Sequence, residues 1–289
     1  MHDFGYSAAG RVGRIRIDRR TITMKLTFAC QTLLAAALAA VGAAAHAQAF
    51  DAVRIFGPVE ADGKGAVGVA VASVPEYIGS RKQRTLVLPV FDYRWKNGFF
   101  AGTGNGIGYL FGSAPNVQYG LRITADFGRK ASRSPALNGM GDIDAAAEFG
   151  GFFNYFVSPA ISLTSSLRYG AGNDNKGMVV DLGANYAVQL APQWRSAVGI
   201  GTSYVNAKTM QSAFGVTPAQ AITSGYAPYS PGAGFRDMRA TASLNYFVNR
   251  QWAVTGVVSA SALQGDAKRS PIVRDRSPMT GVLAVTYEF

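Results

Sequence analysis

From residue 66 to the last residue, apolar and polar positions alternate in run after run. In 117–127 the odd positions are Val117, Tyr119, Leu121, Ile123, Ala125 and Phe127, and the even ones are Gln118, Gly120, Arg122, Thr124 and Asp126. A period of two places those sets on opposite faces of a β-strand. The same pattern recurs in 161–169, 180–190 and 238–247, and again in 66–73, 85–94, 99–111, 142–157, 194–207, 252–263 and 280–289. Each run is about ten residues long, the length a tilted strand needs to cross a bilayer. No stretch of 18 apolar residues follows residue 47, so helical spans are excluded there.

A soluble β-sandwich would alternate in the same way, so the connections decide. Short links (Ser158-Pro159, Ala191-Pro192-Gln193, Asn249-Arg250-Gln251) alternate with long ones (128–141, 170–178, 208–233, 264–279). That is the pattern of short periplasmic turns and long external loops in outer-membrane barrels. Aromatics at the strand ends, among them Tyr93, Trp95, Phe99, Tyr155, Trp194, Phe247 and Trp252, suit the two interfacial girdles. The final run carries Leu283, Val285, Tyr287 and Phe289 on one face and ends the chain on Phe289. Tyr287 and Phe289 thus form a candidate assembly signal for the barrel assembly machinery. The expected fold is all-β, a transmembrane antiparallel β-barrel of the bacterial outer membrane. Eleven runs are visible but closure favours an even number. The expectation is twelve strands, with the missing one between Phe50 and Tyr93, and ten as the alternative. Counting back from a periplasmic C-terminus puts the 74–84 connection on the periplasmic side unless a strand was missed.

The N-terminus reads as an export signal. Met24-Lys25 begins it, 33–45 is an apolar run too short to span a membrane, and Ala45-His46-Ala47 is an A-x-A cleavage site. The mature chain would begin at Gln48. Residues 1–23 are Arg-rich and read as an extension upstream of the true start at Met24, with a twin-Arg signal at Arg19-Arg20 as the second reading. Residues 48–65 would be a short periplasmic segment ahead of a single barrel domain, 66–289.

Removing 1–47 changes the chemistry available. Cys30, His2 and His46 all lie upstream of Gln48, so the mature chain has no cysteine and no histidine. Ser-His-Asp and Cys-His catalysis, thiolate chemistry and His/Cys metal sites are excluded with them. Lys and Arg outnumber Asp and Glu by 22 to 15 downstream of Ala47, a net +7. That suits anionic surfaces such as lipopolysaccharide and is no nucleic-acid signature. No cofactor and no enzymatic activity are expected.

Strand parity assigns an inward charged set: Arg122, Asp126, Asp144, Glu148, Arg168, Asp181, Arg195, Asp237 and Arg239, with Glu288 near the end. Charges at membrane depth are costly against lipid, so they should line the lumen and pair. They read as a salt-bridged plug or as a selectivity-setting pore lining. Asp144 and Glu148 are the one carboxylate pair with any glycosidase character, and strand geometry holds their Cα atoms about 13 Å apart. Gly102, Gly104, Gly106 and Gly108 alternate on one face of 99–111. A bend or bulge suits them better than a phosphate loop, which needs a strand-to-helix turn. In the 208–233 loop, Thr217-Pro218 and Gly225 bound a short helix. Phe214, Tyr226 and Tyr229 there are candidates for partner contact or for folding inward. Lys268, Arg269, Arg274 and Arg276 would make a basic rim.

Several segments, taken in order, resemble the MipA/OmpV family, the MltA-interacting proteins of Gram-negative outer membranes. They are Tyr77-Ile78-Gly79-Ser80; Leu88-Pro89 with Asp92-Tyr93; Gly106-Ile107-Gly108-Tyr109; and Leu137 with Gly139-Met140-Gly141-Asp142-Ile143. They continue with Asp181-Leu182-Gly183 and Tyr186; Met210-Gln211-Ser212-Ala213-Phe214-Gly215-Val216; and Ser270-Pro271-Ile272-Val273. The chain departs from the family at Asn173-Asp174-Asn175-Lys176, where members often carry Gly-His. The resemblance implies an outer-membrane barrel with interaction duties. It implies a scaffold between a lytic murein transglycosylase and a penicillin-binding protein, or a surface-ligand binder. A diffusion channel for small solutes or antibiotics is the alternative.

Overall fold

A computed structural model describes residues 63–114 and 116–289; the expected signal segment and residues 48–62 lie outside the described residues. Twelve antiparallel strands close into one barrel, each paired with its sequence neighbours, and β1 pairs with β12. They are β1 (Gly65–Pro75), β2 (Gln83–Arg94), β3 (Phe99–Gly102), β4 (Gly106–Ala114), β5 (Val117–Asp126) and β6 (Ala146–Phe156). The rest are β7 (Ile161–Ala171), β8 (Gly177–Ala191), β9 (Trp194–Val205), β10 (Gly234–Phe247), β11 (Trp252–Leu263) and β12 (Met279–Glu288). Short turns gather at the end where Gly65 and Phe289 exchange backbone hydrogen bonds. At the opposite end the described long connections carry three α-helices, α1 (Ala207–Phe214), α2 (Pro218–Ser224) and α3 (Gly265–Arg269), and two 3-10 turns, Ala131–Arg133 and Pro135–Leu137.

The alternation becomes an outside and an inside. Val69, Val87, Ile107, Leu121, Ile200 and Leu283 are all exposed on the outer face. In water so large an apolar surface would be an aggregation site; in hydrocarbon it is the matched solvent. Rings cluster at the short-turn end, where Tyr93 stacks on Phe289 at 6.0 Å and Trp252 meets Tyr287 at 5.2 Å. Tyr204 and Phe235 pair at 5.6 Å near the long-loop end. Together with closure, this belt makes the chain an outer-membrane β-barrel.

Twelve is the observed strand number, but the missing strand does not lie between Phe50 and Tyr93. The run 99–111 is two strands, β3 and β4, joined by a turn at Thr103-Gly104-Asn105. Gly102 pairs with Gly106, and Gly106 has φ 76°, a backbone that glycine alone adopts cheaply. A three-residue turn between positions of the same parity keeps even residues facing inward on both sides. The alternation therefore passes through the hairpin without a change of phase, which hid the turn. The extra strand also corrects the 74–84 connection: it lies at the long-loop end, where Tyr77 reaches Ile272 of the β11–β12 loop.

Close approach of strands fixes where side chains can exist at the closing seam. A Cβ on Gly68 of β1 would strike the Val285 carbonyl oxygen of β12, whereas one on Gly281 of β12 meets nothing within 4 Å. Gly68→Val is expected to reduce the fraction that reaches the compact, heat-modifiable form in gel electrophoresis. Gly281→Val should fold like the parent, and equal loss in both would contradict this account of the seam.

Candidate functional site

The inner face of β5–β10 carries one connected set of charges. Arg168 on β7 reaches Glu148 on β6 at 2.8 Å and Asp181 on β8 at 3.0 Å. Thr124 on β5 donates to the same Glu148 at 3.0 Å. Asp181 accepts from Ser203 on β9 at 2.6 Å and pairs with Arg239 on β10 at 3.4 Å. Arg239 continues to Asp237 at 3.2 Å, and Asp237 to Arg236 at 2.7 Å. Arg122 donates to Ser166 at 2.6 Å and to Asn105 at 3.3 Å, with its guanidinium 5.1 Å from the Phe152 ring centre. Glu148 is 1% exposed and Arg168 3%, so these charges are withdrawn from water and hold one another.

Not every residue of the expected inward set joins that belt. Asp126 sits at its edge, accepting from the Gly128 and Gly172 amides. Asp144 does not belong to it. β6 begins only at Ala146, and Asp144 lies in the preceding loop, where it pairs with Lys130 at 3.3 Å. The carboxylate pair with Glu148 is therefore not formed across one strand face. Arg195 and Glu288 lie near the short-turn end, both exposed, with Arg195 5.9 Å from the Phe247 ring centre.

Arg236 is the belt residue that parity missed. A register shift between Phe235 and Asp237 places two consecutive charged residues inside. Such a bulge puts two residues opposite one and breaks the period of two. Two adjacent charges opening an otherwise alternating strand were the available signal.

Above the belt the long loops pack into a cap with a core of its own. Tyr77, Leu137, Met140, Val216 and Ile272 form one buried cluster; Val179, Val205, Met210, Phe214, Leu263 and Ala267 form a second, against which Ile78 and Val273 pack. Local sequence explains the helices. Asn206 caps α1 through the Thr209 amide. α2 has the expected Thr217 cap, completed into a capping box by Gln220, with Pro218 at its start and left-handed Gly225 at its end. Tyr226 and Tyr229 donate to the Ala136 and Asp266 carbonyls, each at 2.9 Å, so the loop aromatics hold the cap together.

The motif residues divide between the two ends of the barrel. Tyr77 donates to the Ile272 carbonyl at 2.8 Å; burial, then the neighbouring Tyr226, pushes its phenol up to about 12. Gly79, with φ 93°, presents its carbonyl to the Arg274 and Asp275 amides, and Ser80 closes its own turn onto Lys82. Gly141 takes a left-handed φ of 73°, and Asp142 accepts from the Ala131 amide at 2.8 Å. Met210 and Phe214 are fully buried, Gln211 lies between them on α1, and the Phe214 carbonyl accepts from Ser270. Asp92 and Tyr93 are at the opposite end on β2, Asp92 facing inward and Tyr93 in the aromatic girdle. Most of this motif set is thus the framework of the cap. Burial lowers the Arg129 guanidinium in the cap to about 10, leaving it charged at neutral pH as it donates to the Ala213 carbonyl.

A family model described as MltA-interacting protein MipA matches residues 67–289. No curated protein matches the chain. Among solved structures, a KdgM porin in complex with disordered oligogalacturonate is 10% identical, covering 78% of this chain and 99% of its own, with a TM-score of 0.43. The NanC porin is 9% identical, covering 77% and 98%, with a TM-score of 0.45. The Pseudomonas putida toluene transporter TodX is 11% identical, covering 82% and 93%, with a TM-score of 0.38.

Two outcomes are expected. Arg168→Met leaves buried Glu148 and Asp181 without their shared partner and should cost about 3–5 kcal/mol in unfolding from detergent. A loss well under 1 kcal/mol would mean that the belt is not a connected structural unit. In the cap, the Ala131 amide and Lys130 hold the Asp142 carboxyl below its usual range, and the Gly232 amide and Arg269 do the same for Asp266. Depressed carboxylates contribute stability above the ordinary aspartate pKa and lose it as pH falls through the folded values. Proteolysis of 127–145 and 206–233 should be flat from neutral pH downward and rise below about pH 4.

Proposed function

Since the chain belongs to the MltA-interacting protein MipA family, we propose that it is an interaction scaffold of the outer membrane rather than a conduit or an enzyme. The observation that carries this reading is the long-loop end, where a packed cap sits over a salt-bridged belt. A barrel built in this way offers surfaces, and its charges are committed to one another rather than to a passing solute.

In this reading a cleavable signal at 24–47 exports the chain, the barrel assembly machinery inserts it through the β12 end, and the short-turn end faces the periplasm. That end presents the murein-side surface to a lytic murein transglycosylase and a penicillin-binding protein. The cap faces outward, with its basic side toward lipopolysaccharide. Nothing in the belt resembles a catalytic set: its acids are neutralised by arginines, and no histidine or cysteine follows residue 47.

Two measurements test the scaffold. Detergent-solubilised protein should co-purify with a murein transglycosylase, and Pro159→Glu, Gln193→Glu and Arg250→Glu together, one exposed position in each short turn, should abolish recovery without changing folding. Purified protein in planar bilayers should give no reproducible single-channel steps. Regular steps combined with no recovered cell-wall enzyme would replace the scaffold with the channel.

A further inference from the structure

On the short-turn side of the charged belt the inner wall of β6–β11 changes character. One row of paired residues runs Asn154, Thr164, Gly183, Gly201. The next row toward the short turns runs Ser162, Asn185, Gly199, Thr241, Ser259. All share the inward parity of Asp181 and Arg239, and none carries a charge. The glycines thin the wall. The Thr164 hydroxyl lies over Gly183 and the Asn185 carboxamide over Gly199, where a Cβ on either glycine would crowd them. Between these groups is a recess of about 60 Å³, bounded by Thr164, Gly183, Asn185, Gly199 and Thr241, with Asp181 and Arg239 on its belt side.

Three polar side chains at the recess are unmet. Among the described residues, the Thr164 hydroxyl and the carboxamides of Asn185 and Asn154 make no hydrogen bond. Asn154 is only 3% exposed and stands directly across the β6–β7 pair from Thr164. A buried carboxamide ordinarily has a partner, so an unmet one at a recess points to a bound group. The neighbouring charges do not serve it. Asp181 pairs with Arg239 at 3.4 Å and Arg168 at 3.0 Å and accepts from Ser203 at 2.6 Å. The unmet groups therefore call for a neutral partner that both donates and accepts.

An extended peptide is a poor match, because the strands are paired with both neighbours through these rows and offer it no open ladder. An acetamido group is a good one. Its N–H and C=O answer the hydroxyl and the two carboxamides, and its methyl rests on the glycine floor. Its four non-hydrogen atoms replace the roughly four to six waters that such a volume takes. The approach is from the short-turn end. Along the same inward faces Ala187, Ala197, Ser243 and Thr255 are small and half-buried, and Gln189 and Arg195 are exposed near the mouth. We propose that this recess is a subsite for a neutral, acetamido-bearing saccharide. The sugar enters from the short-turn end, seats its acetamido group against Thr164, Asn185 and Asn154, and keeps its ring in the lumen beside Thr241 and Ser243. The scaffold reading supplies only the orientation, which makes the entrance periplasmic. Binding to purified protein tests the site whether or not a transglycosylase is recovered.

The full chain in deuterated detergent is titrated with N,N′-diacetylchitobiose and with cellobiose, which has the same linkage and no acetamido group. Saturation-transfer NMR should show the acetamido methyls of diacetylchitobiose as the most strongly saturated protons, with cellobiose at least about fivefold weaker. Thr164→Val is nearly isosteric and should weaken diacetylchitobiose binding about threefold, and Thr164→Val with Asn185→Leu about tenfold or more. Heat-modifiable mobility checks that each variant is folded, and the single variant decides if the double one is not. No saturation transfer to diacetylchitobiose, an equal response from cellobiose, or unchanged binding by folded Thr164→Val overturns the site.

Discussion

The backbone's need for hydrogen-bond partners in hydrocarbon governs this molecule. Every amide and carbonyl at membrane depth must be satisfied within the protein, because lipid offers nothing in exchange. Twelve strands closing β1 on β12 meet that need almost everywhere. The closing seam explains the tight Gly68 and the Gly65–Phe289 contacts, and the same need makes the truncated β3 conspicuous. Just past β3, Thr103 bonds the Phe91 and Pro89 carbonyls and accepts from the Phe91 amide.

Closure also creates an interior that must be filled, and the two halves of the wall fill it differently. β1, β2 and β12 turn Ala72, Val74, Leu86 and Val282 inward. β5–β10 turn in an alternating series of acids and arginines whose members are shared from strand to strand. Each buried charge on its own would be prohibitive, and linkage through Arg168, Asp181 and Arg239 makes the set tolerable. Because the links join six consecutive strands, the belt also ties together the part of the wall above which the longest loops stand.

The cap depends on both. Its loops enter from strands whose spacing the belt fixes, and its core is built largely from the motif positions that gave the chain its family resemblance. Tyr77 on the first loop and Ile272 on the last are 195 residues apart and meet at the phenol. That the most distinctive residues pack the cap at one end of the barrel is what supports the proposed scaffold role.

By itself the sequence determined the strands, their faces, the closing residue and most of the lumen charges. Each of these is written in a local period of two that lipid outside and polar groups inside enforce residue by residue. It determined the α2 helix for the same reason, since Thr217, Pro218, Gln220 and Gly225 act within one turn of each other. Tertiary structure decided what periodicity cannot express. The β3–β4 hairpin was invisible because its turn preserves parity, and with it went the side on which the Tyr77 loop lies. Arg236 was hidden by a bulge that breaks parity, and Asp144 was miscounted because the alternation continues into a loop that no strand pairs. The partners of each lumen charge, the assembly of the cap and the shortness of β3 all depend on strand registers and loop packing between residues far apart in the chain. No local pattern carries that information.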